Sequence, residues 1–485
     1  MNQPSESRLI AAVLVVITLC AAALRFHAVG IKTFWFDEGV SVAIARLDPY
    51  NFLRILWRRE ANMSLYYALL HIWLWMGNSE AFVRSFSVIF AIATIPAIYF
   101  LGRRLFDSRT GLITAGLLSV NAFHVCYSQE ARSYSLMVLL CVLSSLYFLK
   151  TIESSRYRYA YVVLSTLAIY AHFYSLLLIA AQYLWLRYLA PKAMSSEAIG
   201  ARTWKTISLL VSPILIFVAT TGAGPLKWIP RPGLKDLWNF AVLITGHGGV
   251  ILAITIGVLA TLGAYPAMRK KSTADDWPLQ FLIVWLSFPI LLVLFLSIFR
   301  PLFLSRYFIF CLPPLLLLVA AGLGRIRPLW QVPLLVLCLA LSFRGTTAYY
   351  IHDFDNERDD WRFASNYILQ NAQPGDALLF HVPMGRMPYD YYVSLDETPL
   401  LPSAPQVLYP HHGPRITFLD FVEKPDYVRL SDALPQYRRV WVVISHAGTP
   451  SGLDRVATNL TSLAQTGHTH GQQFAFKGID VFLYQ

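Results

Sequence analysis

The sequence predicts a polytopic α-helical membrane protein of about eleven transmembrane helices, followed by a C-terminal soluble α/β domain. Hydrophobic residues make up 56% of the 485 residues and charged residues only 14%, which excludes an ordinary soluble globular protein. Apolar stretches near the roughly 20 residues that a bilayer requires recur from Leu9 to Leu341, and the chain then becomes polar.

The apolar stretches give the predicted spans in order. They lie near residues 9–29, 83–101, 112–126, 134–150, 159–171, 174–190, 206–221, 238–265, 279–299, 303–323 and 330–343. The first stretch is long and has no convincing small-residue cleavage site before Phe34, so we expect a retained helix rather than a signal peptide.

The distribution of Lys and Arg predicts the orientation. One set of short connectors carries most of the basic residues and is cytoplasmic by the positive-inside rule. It comprises Arg103, Arg104, Arg109, Lys150, Arg156, Arg158, Arg187, Lys192, Arg202, Lys205, Arg269, Lys270, Lys271, Arg325 and Arg327. An odd number of spans places the N-terminus inside and the C-terminal tail outside. The net charge of +12 then mainly reflects the basic residues of the cytoplasmic connectors, and no nucleic-acid partner is required to explain it.

We expect two domains: residues 1–344 form the transmembrane domain and residues 345–485 a periplasmic α/β domain. Residues 31–82 form a long first periplasmic loop in which residues 49–57 have the spacing of an interfacial helix. Residues 64–76 are interpreted as a second interfacial helix. A span there would move every later connector to the opposite side of the membrane and contradict the positive-inside rule. In the tail, strands are predicted at 377–380, 439–445, 473–477 and 480–484, with helices from 359 and near 452–464.

The first loop begins with an adjacent pair of carboxylates, Asp37 and Glu38, beside Trp35. Acidic residues at membrane depth are costly and are read by default as functional. Adjacent carboxylates repel each other, which raises the pKa of one of them unless a cation holds both. A general base is therefore one interpretation, a divalent cation near the pair is another, and helix capping or pairing with an arginine is the structural alternative.

Two further outer connectors combine charged, polar and aromatic side chains. The turn between the third and fourth predicted spans carries Tyr127, Gln129, Glu130 and Arg132, a mixture typical of sugar-binding surfaces, although Glu130 and Arg132 could simply satisfy each other.

Arg306 and Tyr307 open a later span, where an arginine can bind phosphate in a bidentate way or merely extend to the interface. His172, at another outer turn, is a further candidate for substrate binding, and a packed polar residue is the ordinary alternative.

Other patterns have little weight. Asp353 and Asp355 match the Asp-x-Asp pattern of nucleotide-sugar enzymes by chance, on the side where such substrates are not expected. The five cysteines lie in or beside spans and have no zinc-ligand spacing, and there is neither a P-loop nor a G-x-G-x-x-G.

The chain resembles the GT-C glycosyltransferases, in the bacterial branch similar to protein O-mannosyltransferases and lipid A aminoarabinose transferase. The resemblance rests on the architecture, on the acid pair of the first outer loop, on residues 127–132 and 306–307, and on Asp360-Trp361-Arg362. It implies a catalytic base or metal-associated role for Asp37 and, less directly, Glu38. The residues of the other two connectors and His172 are the candidate substrate-binding residues.

The resemblance implies transfer of a sugar from a polyprenyl-phosphate donor to a lipid, glycan or protein hydroxyl at the periplasmic face of a bacterial inner membrane. The phosphate leaving group is already a stable anion, so one base and nearby cations suffice, and no cofactor beyond the alternative cation is expected. The competing hypothesis is a transporter or lipid flippase with an exported sensing domain. Transporters show inverted repeats and broken spans in matching halves, and neither is evident in the sequence. A non-catalytic scaffold leaves the acid pair unexplained.

Overall fold

The computed structural model describes residues 4–191, 194, 199–221, 229–269, 274–352, 354, 358–395, 404–410, 416–446, 448–449, 452–468 and 470–485. They form two compact units that alternate along the chain. The first unit comprises Met1–Val29, Trp57–Tyr66 and Arg84–His352, and the second comprises Gly30–Leu56, Tyr67–Val83 and Asp353–Gln485. Most of the first predicted loop therefore belongs to the same unit as the C-terminal tail.

The part of the chain before the tail is helical. Its α-helices are α1 (Pro4–Phe26), α2 (Phe36–Ala45), α3 (Pro49–Arg58), α4 (Ser64–Trp73), α5 (Glu80–Leu105), α6 (Ser108–Val120), α7 (Ala122–Ser128), α8 (Tyr134–Glu153), α9 (Arg158–Ala171), α10 (Ser175–Leu184), α11 (Ala201–Leu210), α12 (Ser212–Thr221), α13 (Leu234–Ile244), α14 (Val250–Met268), α15 (Trp277–Ser297), α16 (Leu312–Leu323) and α17 (Pro328–Ile351). A π-helical segment, Trp185–Leu189, extends α10, and 3₁₀ turns occur at Ser155–Tyr157, Ala274–Asp276 and Ser305–Cys311.

Within the described residues, seven helices are long and apolar enough to cross a membrane, or up to nine if each of two bent helix pairs is one span. The predicted polytopic α-helical fold is confirmed, and the chain is a multi-pass membrane protein. The count of eleven is not confirmed. The predicted spans at 159–171 and 174–190 correspond to α9 and to an apolar helix at Ser175–Leu189, both shorter than 18 residues.

The predicted span at 238–265 is wrong as a single helix, because α13 ends at Ile244 and α14 begins at Val250. Gly246 and Gly249 between them have φ angles of 112° and 90°, which glycine adopts readily and other residues rarely. Residues 245–249 read Thr-Gly-His-Gly-Gly, a turn signal that the prediction of one long apolar span passed over.

The helix pair α6–α7 is bent by 60° at Asn121. The Asn121 side chain accepts a hydrogen bond from the backbone N–H of His124 and so caps α7. The buried Arg25 guanidinium donates to the carbonyls of Leu118 and Ser119 at the end of α6. The pair α11–α12 is bent by 56°, with Pro213 in the first turn of its second helix. The sequence analysis expected no broken spans, so these two breaks are a correction.

The second unit contains the tail sheet, whose main strands are β1 (Ala377–Phe380), β2 (Gln406–Tyr409), β3 (Val440–Ser445), β6 (Gly471–Phe476) and β7 (Ile479–Tyr484). The strand order is β2-β1-β3-β7-β6, with β1 parallel to β2 and β3, and β7 antiparallel to β3 and β6. A separate two-stranded ladder joins β4 (Gly448–Thr449) and β5 (Gly452–Leu453).

The tail helices are α18 (Trp361–Asn371), α19 (Arg386–Leu395), α20 (Tyr427–Ala433) and α21 (Arg455–Gln465), with 3₁₀ turns at Pro383–Gly385, Phe418–Phe421 and Leu434–Gln436. Asp360 and Asp454 cap α18 and α21 through their side chains, as expected for aspartate at a helix start. The predicted strands and both predicted helices of the tail are present, whereas α19, α20 and β2 were not anticipated.

Candidate functional site

Asp37 and Glu38 lie in the first turn of α2, which begins at Phe36 after the extended N-cap residue Trp35. Negative charge is favourable in a first helical turn because the backbone N–H groups point towards it. Glu38 is fully buried, whereas Asp37 is partly exposed. Asp37 is therefore the carboxylate of the pair that a substrate can reach more easily.

Close packing fixes the position of α2 within its unit. A Cβ on Gly39 would lie 2.6 Å from the Cβ and 2.7 Å from the Cα of Pro388 in α19. Only glycine allows the backbone to approach this closely, so the residue that follows the acid pair is required for the contact between α2 and α19.

Tail residues of the same unit surround the acid pair. The His446 ring packs on Phe36 with centroids 4.8 Å apart, and its Nε2 lies 3.7 Å from Asp359 Oδ2. The Arg358 guanidinium lies 5.9 Å from the centroid of the Trp35 ring. Burial lowers the pKa of His446, and the Asp37 carboxylate opposes that shift, so these two side chains interact electrostatically.

Glu80, another acid of the first loop, has a structural environment. It accepts hydrogen bonds from the backbone N–H of Phe34 at 3.2 Å and from the Tyr392 hydroxyl, and it forms an ion pair with Arg362. These contacts hold the segment before α2 against the tail. Glu80 therefore stabilises the fold of the second unit and is a poor candidate for the base.

In the first unit, the connector between α7 and α8 carries the predicted residues Gln129, Glu130 and Arg132, all buried. The Gln129 amide donates to the carbonyls of Arg25 and His27 at 2.9 and 2.6 Å, so it holds the end of α1. Ser87 donates to the carbonyl of Arg132 at 3.1 Å. This connector is a packed element, and Gln129 has a structural role that the sequence analysis did not assign.

Four predicted residues from three connectors meet in what we call the arginine–aromatic cluster: Arg132, His172, Arg306 and Tyr307, together with Tyr134. The His172 ring lies 4.9 Å from Tyr307 and 5.9 Å from Tyr134 between ring centroids. Burial lowers the pKa of His172 to about 3, and the positive charges of Arg132 and Arg306 add to that shift.

His172 is consequently neutral at physiological pH. Its Nδ1 accepts a hydrogen bond from the backbone N–H of Tyr174 at 3.2 Å, and its Nε2 lies 3.4 Å from Nδ2 of Asn62. The cluster thus combines two buried guanidinium groups, a neutral imidazole and aromatic hydroxyls. Such a set of cations and donors suits an anion such as a phosphate group.

Tyr127 and Glu130 are the remaining predicted binding residues. The Tyr127 ring packs against Phe123 and Tyr134, each with centroids 5.1 Å apart, and so extends the cluster by one aromatic ring. Glu130 is 1% exposed on the same connector. The structure therefore gathers five of the predicted residues of the first unit, while Asp37 and Glu38 belong to the second; the five are Tyr127, Arg132, His172, Arg306 and Tyr307.

Among the described residues, no group of three or more His, Cys, Asp or Glu side chains is placed to hold a metal ion. A divalent cation near Asp37 and Glu38 stays a prediction. Asp353 and Asp355 lie outside the described residues.

The sequence analysis missed His446, Arg358 and Asp359. His446 follows β3, at the carboxyl end of a strand that pairs in parallel with β1, and residues at such ends often bind ligands. That signal was available, because the strand at 439–445 was predicted. The separation along the sequence between His446 and Asp37 hid their proximity.

Part of the chain matches a known protein family. Residues 63–222 match the sequence model of the family described as dolichyl-phosphate-mannose-protein mannosyltransferase. This region includes Tyr127, Gln129, Glu130, Arg132 and His172 but not the acid pair. No curated protein matches the sequence significantly.

Solved structures resemble the whole chain. ArnT from Cupriavidus metallidurans in the apo state gives a TM-score of 0.64 at 13% identity over 97% of each chain. The same protein bound to undecaprenyl phosphate gives 0.61 at 14% identity, covering 99% of this chain and 98% of that one. The oligosaccharyltransferase AglB from Archaeoglobus fulgidus, in complex with an inhibitory peptide and a dolichol-phosphate, gives 0.50 at 13% identity over 84% of this chain and 62% of that one.

The resemblance expected from the sequence is thus confirmed at the level of architecture, over nearly the full length of both chains for ArnT. The protein has the fold of the GT-C membrane glycosyltransferases.

Proposed function

We propose that this protein is a glycosyltransferase that moves a sugar from a polyprenyl-phosphate-linked donor to a hydroxyl acceptor. The observation that carries the proposal is the full-length likeness to ArnT, a protein solved with undecaprenyl phosphate bound. The acceptor is a lipid, a glycan or a protein, and the reaction takes place at the periplasmic face of a bacterial inner membrane.

Asp37 is the proposed general base. Its carboxylate removes the proton from the acceptor hydroxyl while that oxygen forms a bond to the anomeric carbon. The bond from this carbon to the phosphate oxygen breaks, and polyprenyl phosphate leaves as a stable anion. The partial exposure of Asp37, against the full burial of Glu38, supports Asp37 for this role and a positioning role for Glu38.

The arginine–aromatic cluster is the proposed phosphate site. Arg132 and Arg306 would balance the charge that develops on the leaving phosphate, and Tyr307 offers a hydroxyl donor. Electrostatic stabilisation of a leaving group needs fixed donors in a site from which water is excluded, and these side chains are less than 10% exposed. Tyr127, Gln129, Glu130 and His172 support this site by packing and hydrogen bonding.

The proposed orientation follows the positive-inside rule, with the N-terminus in the cytoplasm and the α/β tail in the periplasm. The lipid carrier explains this placement chemically, because sugar nucleotides are cytoplasmic and a lipid-linked sugar can cross the membrane. Cysteine substitutions at Ser7 and Gln485, labelled with a membrane-impermeant maleimide in intact cells, test it. Labelling at Gln485 alone is the expected result.

The experiment that tests the function uses purified protein in liposomes with a panel of polyprenyl-phosphate sugars. Lipid A and crude envelope lipid serve as acceptors, and the products are identified by mass spectrometry. Turnover of one donor supports the proposal and names the sugar.

A transporter is the second candidate, and the two broken helix pairs favour it, because transporters build their sites from discontinuous helices. The same liposomes distinguish the two functions. Movement of a fluorescent lipid-linked sugar between leaflets, without transfer to any acceptor, would replace the proposed reaction with transport.

A further inference from the structure

The α6–α7 break and the α13–α14 break of the first unit meet at the side chain of Asn121, which is 1% exposed. Its Oδ1 accepts a hydrogen bond from the backbone N–H of His124 at 3.1 Å, at the start of α7. Its Nδ2 donates to the carbonyl of Ile244, the last residue of α13, at 3.2 Å. The amide orientation follows, because only the oxygen can accept from an N–H and only the nitrogen can donate to a carbonyl. One buried amide therefore joins two helices across 123 positions of the sequence.

The C-terminus of α13 uses this donor to complete its hydrogen bonding. The last carbonyls of an α-helix lack partners further along the helix and need them from elsewhere. Backbone N–H groups of residues 245–247 donate to three of these carbonyls at 3.0 to 3.3 Å, those of Ala241, Val242 and Leu243. The Asn121 amide donates to the fourth, that of Ile244. Asn121 is thus the C-terminal cap of α13 as well as the N-terminal cap of α7.

Close packing holds the two breaks together. A Cβ on Gly246 would lie 3.2 Å from Nδ2 of Asn121, and a Cβ on Gly345 in α17 would lie 2.1 Å from the carbonyl oxygen of Gly246. Thr346, the next residue of α17, donates to the carbonyl of Val120 at the end of α6 at 2.8 Å. Interiors packed this closely transmit displacements, so a shift at one break moves the other.

The helix α7 leads from Asn121 to one side of the arginine–aromatic cluster. It has seven residues, so a displacement of its first turn reaches its last. The ring of Tyr127 near its end packs on Tyr134 with centroids 5.1 Å apart. The connector that follows carries Arg132, whose carbonyl accepts from Ser87 at 3.1 Å. The position of Arg132 therefore depends on how α7 is held at its start.

The helix α13 packs on the other side of the same cluster. The ring of Phe240 lies 5.4 Å from Phe303 and 5.6 Å from Phe308 between centroids. These two phenylalanines lie on either side of Arg306 in the sequence, and their rings pack together at 4.9 Å. The helix α13 thus supports the 3₁₀ segment Ser305–Cys311, which presents Arg306.

We propose that Asn121 is a positioning residue for the phosphate site: by joining α7 to α13, its amide sets the separation of Arg132 and Arg306. This inference rests on the proposed function, in which these two guanidinium groups hold the phosphate of the lipid donor. Donors that are already in place bind an anion without a cost of reorganisation. Loss of the amide bridge therefore weakens binding of the donor and leaves binding of the acceptor unchanged.

Asn121→Ser separates the bridge from the cap of α7. Serine caps a helix as asparagine does, but its side chain is one bond shorter and does not reach the Ile244 carbonyl. We expect the donor KM in the liposome assay to rise about three- to tenfold, as for the loss of one hydrogen bond, with the acceptor KM within about twofold of wild type. A purely structural role would lower the amount of active protein and change neither KM.

Thr346→Val is the matched control. It removes one buried hydrogen bond from the same break, the one to the Val120 carbonyl, and leaves the amide bridge in place. The donor KM of this variant should equal that of wild type. A wild-type donor KM in Asn121→Ser, or an equal rise in both variants, overturns the inference.

A double variant tests whether Asn121 acts through the arginines. In the Arg306→Lys background the planar donor pair is already lost, so Asn121→Ser should raise the donor KM less than it does in wild type. Independent effects, which multiply in the double variant, overturn the inference.

Binding of undecaprenyl phosphate to the purified full-length protein gives a readout that does not depend on turnover. Its Kd should rise about three- to tenfold in Asn121→Ser and stay at the wild-type value in Thr346→Val. Should Asn121→Ser fail to fold, Phe240→Leu replaces it, because looser packing of α13 on Phe303 and Phe308 should also raise the Kd. A wild-type Kd in Phe240→Leu overturns the inference.

The binding assay also distinguishes the failure of this inference from the failure of the proposed function. Wild type that binds undecaprenyl phosphate but transfers no sugar contradicts the proposed function, while the Kd values of the variants still decide the role of Asn121. Wild type that does not bind undecaprenyl phosphate overturns the phosphate site and this inference with it.

Discussion

Arg362 in α18 forms an ion pair with Glu80, the first residue of α5, within the same unit. The guanidinium also donates to the carbonyls of Gly30, Ile31 and Lys32, so one side chain fixes three points of the segment that leads to α2. The pair connects residues 282 positions apart in the sequence. The position of the acid pair thus depends on the C-terminal tail.

Replacement of Arg362 should therefore destabilise the second unit. Arg362→Met keeps most of the aliphatic volume but leaves the Glu80 carboxylate, which is 10% exposed, without its cation. We expect a loss of about 1–3 kcal/mol in the free energy of unfolding. Pulse proteolysis of the full-length protein in urea measures it, with Arg438→Met, at an exposed arginine of the same unit, as the control. Equal stability of the two variants would contradict a structural role for the pair.

Gly39→Ala tests the close approach of α2 to α19. The added methyl would lie 2.6 Å from the Cβ of Pro388, so the backbone must shift. Overpacking of this kind costs about 1–3 kcal/mol, and the shift moves Asp37 as well. We expect a lower melting temperature together with a lower kcat. Gly467→Ala is the control, since a Cβ there has open space, and it should leave both unchanged.

Arg306→Lys tests the proposed phosphate site. Lysine keeps the charge but loses the planar pair of N–H donors that matches a phosphate group. The expected result is an increase of about tenfold in donor KM, equivalent to about 1.4 kcal/mol of binding energy. Arg325→Lys, on a predicted cytoplasmic connector, is the matched control. A donor KM that is the same in both variants would remove Arg306 from the site.

The raised pKa of Asp390 predicts that the stability of the tail depends on pH. Burial raises its pKa to about 6, the neighbouring Asp420 adds to the shift, and the Arg386 guanidinium opposes it. Since the folded form binds the proton more tightly than the unfolded form, whose pKa is about 3.9, the resulting stabilisation is present below pH 4. It is lost as the pH rises through 6.

Between pH 4 and pH 6, wild type should therefore lose about 1–2 kcal/mol relative to Asp390→Asn. Urea midpoints of the full-length protein, measured at half-unit pH intervals, give this difference. Parallel pH profiles for the two proteins would contradict the shifted pKa.

Local patterns predicted much of this fold. Apolar runs beside turn residues predicted the strands at 377–380 and 439–445, and both match the structure within one residue. The acid pair was proposed as a site from its neighbours in the sequence, and its role stays a prediction. These features depend on residues that are adjacent in the sequence, which is why they could be read from it.

The parts that could not be predicted depend on distant partners. The break at Asn121 is stabilised by Arg25, which contacts the Ser119 carbonyl from 94 positions away. The proximity of His446 to Asp37 likewise arises only when the tail folds with the first loop. Hydropathy records none of these contacts, because it averages over neighbours in sequence and not in space.

The central claim, that Asp37 is the base of a glycosyl transfer, is tested most directly by single-turnover transfer from the polyprenyl-phosphate donor. Asp37→Asn is compared with wild type and with Asp48→Asn, an exposed acid of the same loop. The account predicts a rate about 10² to 10⁴ lower for Asp37→Asn, with unchanged donor binding, and a wild-type rate for Asp48→Asn. Equal single-turnover rates in wild type and Asp37→Asn would contradict it.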